Sequence, residues 1–261
     1  MMALFFTFII KKNIVMATLY DGKMAEIFDA MYQTFINYDE EFLFYSNTLK
    51  ENNCNSVLEI GSGTGNLSRR FATSNIHYKG LEYSNSMIEI AKKRNPDCDY
   101  ILGDMRDFNL GKPVESIIIT GRTTSYLITN ADIHNAFSCI YKNLSKNGIL
   151  CFDFIDANRY IPYTIENELI THNAEHEGIK YSREGNWKVA PLENFMLDWT
   201  AKYYSYNNGT KILISEDFST VRVFTLNEIQ LFLHLNNFDI IQTIDRKTYA
   251  YDTFVIVAKK R

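Results

Sequence analysis

The chain has 261 residues, enough for one large core, and a single domain carrying one insertion is expected over two independent domains. Its 27 Lys and Arg against 31 Asp and Glu leave a formal net charge of −4, which gives no electrostatic footprint for tRNA, rRNA or DNA and favours a small partner. The four cysteines, Cys54, Cys98, Cys139 and Cys151, are dispersed without a C-x-x-C pair and read as reduced core thiols in a cytoplasmic protein.

The apolar start, Met1 to Ile10, falls short of the about twenty residues that a membrane-spanning helix needs. Lys11 and Lys12 follow this run instead of preceding it, and no small-residue cleavage site comes next, so it does not read as a signal peptide. Residues 1–15 are expected to be an extension or the product of an upstream start, with no stable membrane insertion.

The most informative segment is Ser56-Val-Leu-Glu-Ile-Gly-Ser-Gly-Thr-Gly65. Val57, Leu58 and Ile60 form a short apolar run that predicts a buried strand. Gly61, Gly63 and Gly65, with Ser62 between the first two, then allow positive φ and close approach of a nucleotide-like ligand. A helix expected over Asn66–Phe71 would point its first N–H groups at that ligand. The spacing is G-x-G-x-G and not the G-x-G-x-x-G of dinucleotide binders, which disfavours a nicotinamide-dependent oxidoreductase. Glu59, two residues before the first glycine, disfavours a pyrophosphate and suits a ligand carrying an ammonium and a sulfonium.

A second strand, Tyr78-Lys-Gly-Leu-Glu82, ends in an acid placed to accept hydrogen bonds from ribose hydroxyls, with Tyr83 next to it. The helix Ser86–Arg94 follows, capped by Ser84 or Asn85 and stopped at Pro96. A third strand within Tyr100–Phe108 ends at Gly103 and Asp104. That carboxylate can accept from an exocyclic amine, and Met105 can cover a purine face. Further on come a strand Val114–Thr120, a helix Asp132–Leu144 and a strand Gly148–Ile155. Thr225 caps a helix Leu226–Asn236, and strands Phe238–Ile244 and Thr253–Lys259 make an antiparallel hairpin.

Taken together, VLEIGSGTG at 57–65, GLEYSNSMIEIAKKRNPD at 80–97 and GDMRDF at 103–108 resemble the class I S-adenosylmethionine-dependent methyltransferases, from about Tyr20 to the C-terminus. Within that family YDGKMAEIFDAMY at 20–32 looks like the first helix of small-molecule N-methyltransferases acting on amino sugars and glycine. The resemblance implies an α/β, Rossmann-like seven-stranded sheet with an antiparallel seventh strand. It also implies S-adenosylmethionine as cofactor, with no metal. Glu59 and the loop Gly61, Ser62, Gly63 and Gly65 would hold the methionine moiety, Glu82 the ribose, and Asp104, Met105 and Met87 the adenine, with Tyr83 and Gly103 also binding the cofactor. Tyr20 and Tyr32 would reach the cofactor carboxylate or the acceptor, and Gly121 would line the cofactor site.

Between Ala157 and Val223 the alternation changes to strand-like runs, Asn194–Tyr206 and Lys211–Val223, around Asn207-Asn208-Gly209. The expected organisation is therefore 16–156 and 224–261 as the methyltransferase domain, with 157–223 as an antiparallel β-insertion after strand five. Ligands bind open α/β sheets at the carboxyl ends of their strands, which makes this insertion the natural lid. Trp187 and Trp199 are its candidates for acceptor binding.

Strand four should end beside the transferring methyl group, which makes Arg122 and Tyr126 the candidates for the chemistry. Arg122 either binds an anionic group or pairs with a protein acid. Arg246, Tyr249 and Tyr251, between the last two strands, are further acceptor candidates. His172-Asn-Ala-Glu-His176 matches a zinc-peptidase pattern but lacks the long helix it needs. The expected activity is methyl transfer to a small molecule at nitrogen, by a monomer or homodimer. A small-molecule O-methyltransferase and a non-catalytic cofactor-binding domain are the alternatives.

Overall fold

The computed structural model describes residues 20–167, 169–190, 195–248 and 251–261. Residues 1–15, Tyr249 and the start of the run expected at Asn194 lie outside them. The described chain falls into two compact units. One joins the residues up to Ile36 with Ile161–Val221, and the other joins Asn37–Tyr160 with Arg222–Arg261.

The second unit holds β1 (Ser56–Ile60), β2 (His77–Glu82), β3 (Asp99–Leu102), β4 (Val114–Ile119), β5 (Leu144–Asp153), β10 (Phe238–Arg246) and β11 (Thr253–Lys260). They form a seven-stranded sheet in the order β10-β11-β5-β4-β1-β2-β3. β1 pairs in parallel with β2 and β4, and β4 with β5, whereas β11 runs antiparallel to both β5 and β10. The helices are α2 (Tyr38–Glu51), α3 (Ser68–Phe71), α4 (Asn85–Arg94), α5 (Asn130–Asn143) and α7 (Leu226–Leu235).

Period-two alternation sorts the central strands between two cores. Leu58, Ile60, Ile117, Ile119, Leu150 and Phe152 face Ile133, Phe137 and Ile140 of α5 and Ile229 and Leu233 of α7. Val57, Ile118, Ile149 and Cys151 face Tyr45 and Leu49 of α2 and Phe71 of α3. Helix ends follow the sequence cues. Ser84 accepts from the Met87 N–H, and Thr129 with Asp132 and Thr225 with Glu228 close capping boxes on α5 and α7. The thiols of Cys54, Cys98, Cys139 and Cys151 are free.

The other unit packs α1 (Gly22–Tyr32) on β6 (Ile170–His176), β7 (Ile179–Val189), β8 (Met196–Asn207) and β9 (Thr210–Arg222), a sheet in the order β6-β7-β8-β9. Ile27 and Met31 of α1 meet Ala174, Tyr181, Trp199, Ala201 and Tyr203 from alternate sheet positions. The turn at Asn208 and Gly209 has φ of 48° and 80°, the paired positive values of a type I′ hairpin.

Three expectations are corrected. The segment from Ala157 does not begin as β structure, because α6 (Ala157–Glu166) comes first, with Pro162 inside it. The helix expected from Asn66 is one turn long and starts at Ser68. The first helix groups with the insertion through its contacts on β6 and not with the large sheet. A further hairpin, turning at Glu177 and Gly178 with φ of 51° and 74°, went unread because no Asn or Asp marks it.

Candidate cofactor and acceptor site

The cofactor candidates from Glu59 to Gly121 belong to the seven-stranded unit, and Tyr20, Tyr32, Trp187 and Trp199 to the other. At the end of β1, Gly61, Gly63 and Gly65 have φ of 74°, 53° and 76°, a backbone that L side chains rarely adopt. A Cβ on Gly61 would stand 2.7 Å from Thr123 Oγ1, whereas at Gly63 and Gly121 it would meet nothing within 4 Å. The loop is thus pinned at Gly61 and open at Gly63. Its first two N–H groups, of Gly61 and Ser62, donate to the Leu81 carbonyl at 2.8 and 3.2 Å.

Glu82, at the end of β2, takes the third. Gly63 N–H donates to its Oε2 at 2.8 Å, while Tyr83 and Ser84 N–H donate to Oε1 at 2.9 and 3.0 Å. Burial raises the Glu82 pKa, and these three backbone donors oppose the rise. Oε2, with one donor, keeps a lone pair for a ribose hydroxyl. Tyr83 is 77 % exposed and Met87 buried, so only the former ring stands in solvent.

Glu59 lies on the Tyr78 side of the sheet, where Tyr78 Oη donates to Oε2 at 2.5 Å and Thr120 Oγ1 to Oε1 at 2.9 Å. Burial pushes its carboxyl up to about 7 despite both donors. A buried acid poised at neutrality fits an ammonium, whose charge would hold it ionised. Asp104, at the end of the third strand segment beside Gly103 and Met105, is gripped by Arg106 through Nε–Oδ1 at 2.9 Å and Nη2–Oδ2 at 2.5 Å, which lowers its pKa. An adenine amine would have to share that carboxylate with the guanidinium.

After β4 the backbone turns at Gly121 and Arg122, with φ of 63° and 61°, into the 3-10 turn Thr123–Tyr126. Arg122 is buried. Its N–H donates to Asp153 Oδ1 at 2.8 Å, its Nη2 to Thr248 Oγ1 at 2.5 Å and to the Tyr251 carbonyl at 3.2 Å, and its guanidinium lies 4.1 Å from the Tyr251 ring centroid. Its guanidinium thus donates to neutral oxygens, and its backbone N–H to the Asp153 carboxylate. Arg246 is likewise committed, in a bidentate pair with Glu41 at 3.0 and 2.8 Å. Tyr126 is 36 % exposed.

In the smaller unit Tyr20 and Tyr32 pack on Phe28 at 5.2 and 3.9 Å between ring centroids, and Trp187 on Trp199 at 4.6 Å. His172 and Glu175 stand on the strand β6, on opposite faces, which removes the helical context of the zinc pattern. The sequence reading missed Tyr78 and Thr120, which hold Glu59. It also missed Arg183, a charged residue in the apolar register of β7; that register was the available signal.

Residues 57–148 match the family model of the methyltransferase domain. The chain is 34% identical over 94 residues to dTDP-4-amino-2,3,4,6-tetradeoxy-D-glucose N,N-dimethyltransferase of Saccharopolyspora spinosa, an alignment covering 36% of this chain and 38% of that protein. The first curated relatives are spanned over 38% to 52% of their lengths. Among solved structures, DesVI of Streptomyces venezuelae superposes with a TM-score of 0.79 at 19% identity, covering 93% of this chain and 100% of that one. An S-adenosylmethionine-bound amino pentose methyltransferase from Micromonospora echinaspora superposes with a TM-score of 0.75 at 18% identity, covering 90% and 97%. The fold is the one that the sequence resemblance implied.

Proposed function

We propose, from the premise that residues 57–148 form a methyltransferase domain of the class I S-adenosylmethionine-dependent fold, that the chain transfers a methyl group to an amine of a small molecule. The observation that carries this is the clamp of Glu82 on the Gly63 N–H at 2.8 Å, which fixes a carboxylate over an open glycine turn. S-adenosylmethionine supplies an electrophilic methyl on a sulfonium. Glu82 would hold its ribose, Glu59 would compensate its ammonium, and Gly63 and Gly121 would leave room for close backbone approach.

Methyl transfer to nitrogen requires alignment and exclusion of water more than acid–base chemistry. The amine must be neutral to attack, and the Tyr126 hydroxyl would orient it. A carboxyl or phenol acceptor would instead use a nearby cation, and Arg122 is engaged by Thr248 and Tyr251, which supports nitrogen. The relatives named for amino-sugar dimethylation make an amino sugar the first acceptor to test. The net charge of −4 supports a reaction without nucleic acid, and the free cysteines support a reducing, cytoplasmic setting for a monomer or homodimer. No helix among the described residues is long and apolar enough to cross a membrane.

S-adenosylhomocysteine release across amino-sugar, amino-acid and phenol panels tests the reading. Turnover with amines alone is expected. Turnover confined to phenols or carboxylates would move the assignment to oxygen, and cofactor binding without turnover on any panel would leave a binding domain.

A further inference from the structure

β7 breaks its own pattern at one position. On the face that meets α1, the sheet presents Ala174, Tyr181, Trp199, Ala201 and Tyr203, all buried. In the same register, opposite His172 of β6 and Tyr203 of β8, stands Arg183, 7% exposed. Its guanidinium lies 5.6 Å from the Tyr32 ring centroid and 5.5 Å from that of Trp199, and Nη2 is 3.0 Å from His172 Nδ1.

Arg183 Nε and the Tyr203 hydroxyl are both buried and neither makes a well-formed hydrogen bond; the Tyr32 and Tyr203 hydroxyls near the guanidinium are neutral and do not balance its charge. Asp217 acts on Arg183 through space and makes no ion pair with it. His172 adds no charge, since burial, and then Arg183, bring its pKa down to about 4. A guanidinium has five N–H donors in a planar fork, and one taken from water without a hydrogen-bonded anion costs several kcal/mol. Rings at such distances steady its charge but do not take up its in-plane donors.

We propose that Arg183, with the Tyr203 hydroxyl opposite it and His172 at its edge, binds an oxyanion, a carboxylate or phosphate group of a small molecule. These two donors sit on cross-strand partners, so one planar or tetrahedral oxyanion can accept from both. The site is built within one unit and does not depend on the methyl-transfer reading.

The chain's two tryptophans, Trp187 and Trp199, are its only indole fluorophores, and both lie on this face. Full-length protein saturated with S-adenosylhomocysteine is titrated with acetate, inorganic phosphate and pyrophosphate while indole emission is followed. A saturable change with at least one anion is expected, at least tenfold weaker in Arg183→Gln and weaker in Tyr203→Phe, with S-adenosylhomocysteine affinity within twofold of the parent. A response to acetate alone assigns a carboxylate, and to the phosphates alone a phosphate. If Arg183→Gln fails to fold, Tyr203→Phe and Arg183→Lys decide, because each keeps the bulk of its side chain. No saturable response in the parent protein, or equal affinity in the folded variants, overturns the site. Failure of the parent to bind S-adenosylhomocysteine would instead overturn the methyl-transfer reading.

Discussion

Tyr78 and Glu59, on neighbouring parallel strands, share a hydrogen bond of 2.5 Å from the phenol to Oε2, and Thr120 occupies Oε1. Burial outweighs both donors and raises the Glu59 pKa from 4.5 to about 7. A carboxyl raised on folding contributes stability that is full below its unfolded value and is lost as pH climbs through its folded value. Between pH 4.5 and 7 the unliganded protein should therefore lose about 3 kcal/mol from this group, and nothing further above. Thermal melts of Glu59→Gln should flatten over that window and exceed the parent at pH 8. An unchanged pH profile in the variant would contradict the burial account.

Glu82→Ala should weaken S-adenosylhomocysteine binding by about 1–3 kcal/mol, the range for a charge-assisted hydrogen bond, in calorimetric titration. NAD should not bind either form. Unaltered affinity would place the ribose elsewhere.

Gly61→Ala should be costly twice over, through φ of 74° and through a Cβ 2.7 Å from Thr123 Oγ1. A loss of about 1–3 kcal/mol in stability is expected. Thr123→Ala in the same chain should recover part of it by removing the crowded side chain, leaving the dihedral cost. Strict additivity of the two changes would show that they do not touch.

Arg122 and Arg246 are predicted to act on stability before function. Removing Arg246 leaves Glu41 half of a largely buried pair, with side chains 13% exposed, so Arg246→Ala should cost about 2–4 kcal/mol in denaturant unfolding. Arg122→Ala leaves Asp153 buried with less to oppose the rise in its pKa. In both variants S-adenosylhomocysteine affinity should stay within twofold. If Arg122→Ala lowers that affinity tenfold with stability intact, its guanidinium holds the cofactor carboxylate.

Local signals were enough to read the large sheet. Val57, Leu58 and Ile60 make a short apolar run, Ser84, Thr129-Asp132 and Thr225-Glu228 satisfy helix N–H groups within a turn, and Asn208-Gly209 accepts positive φ, so each element follows from neighbouring residues. Glu59, Gly63 and Glu82 were legible for the same reason, since each sits where a strand ends. The partners of charged side chains were not. That Arg122 turns to Thr248, that Arg246 reaches Glu41 and that Arg183 stands among rings depends on residues far apart in the chain. Sequence gives the charge of such a group, but burial and distance set its energy, and only tertiary structure supplies those.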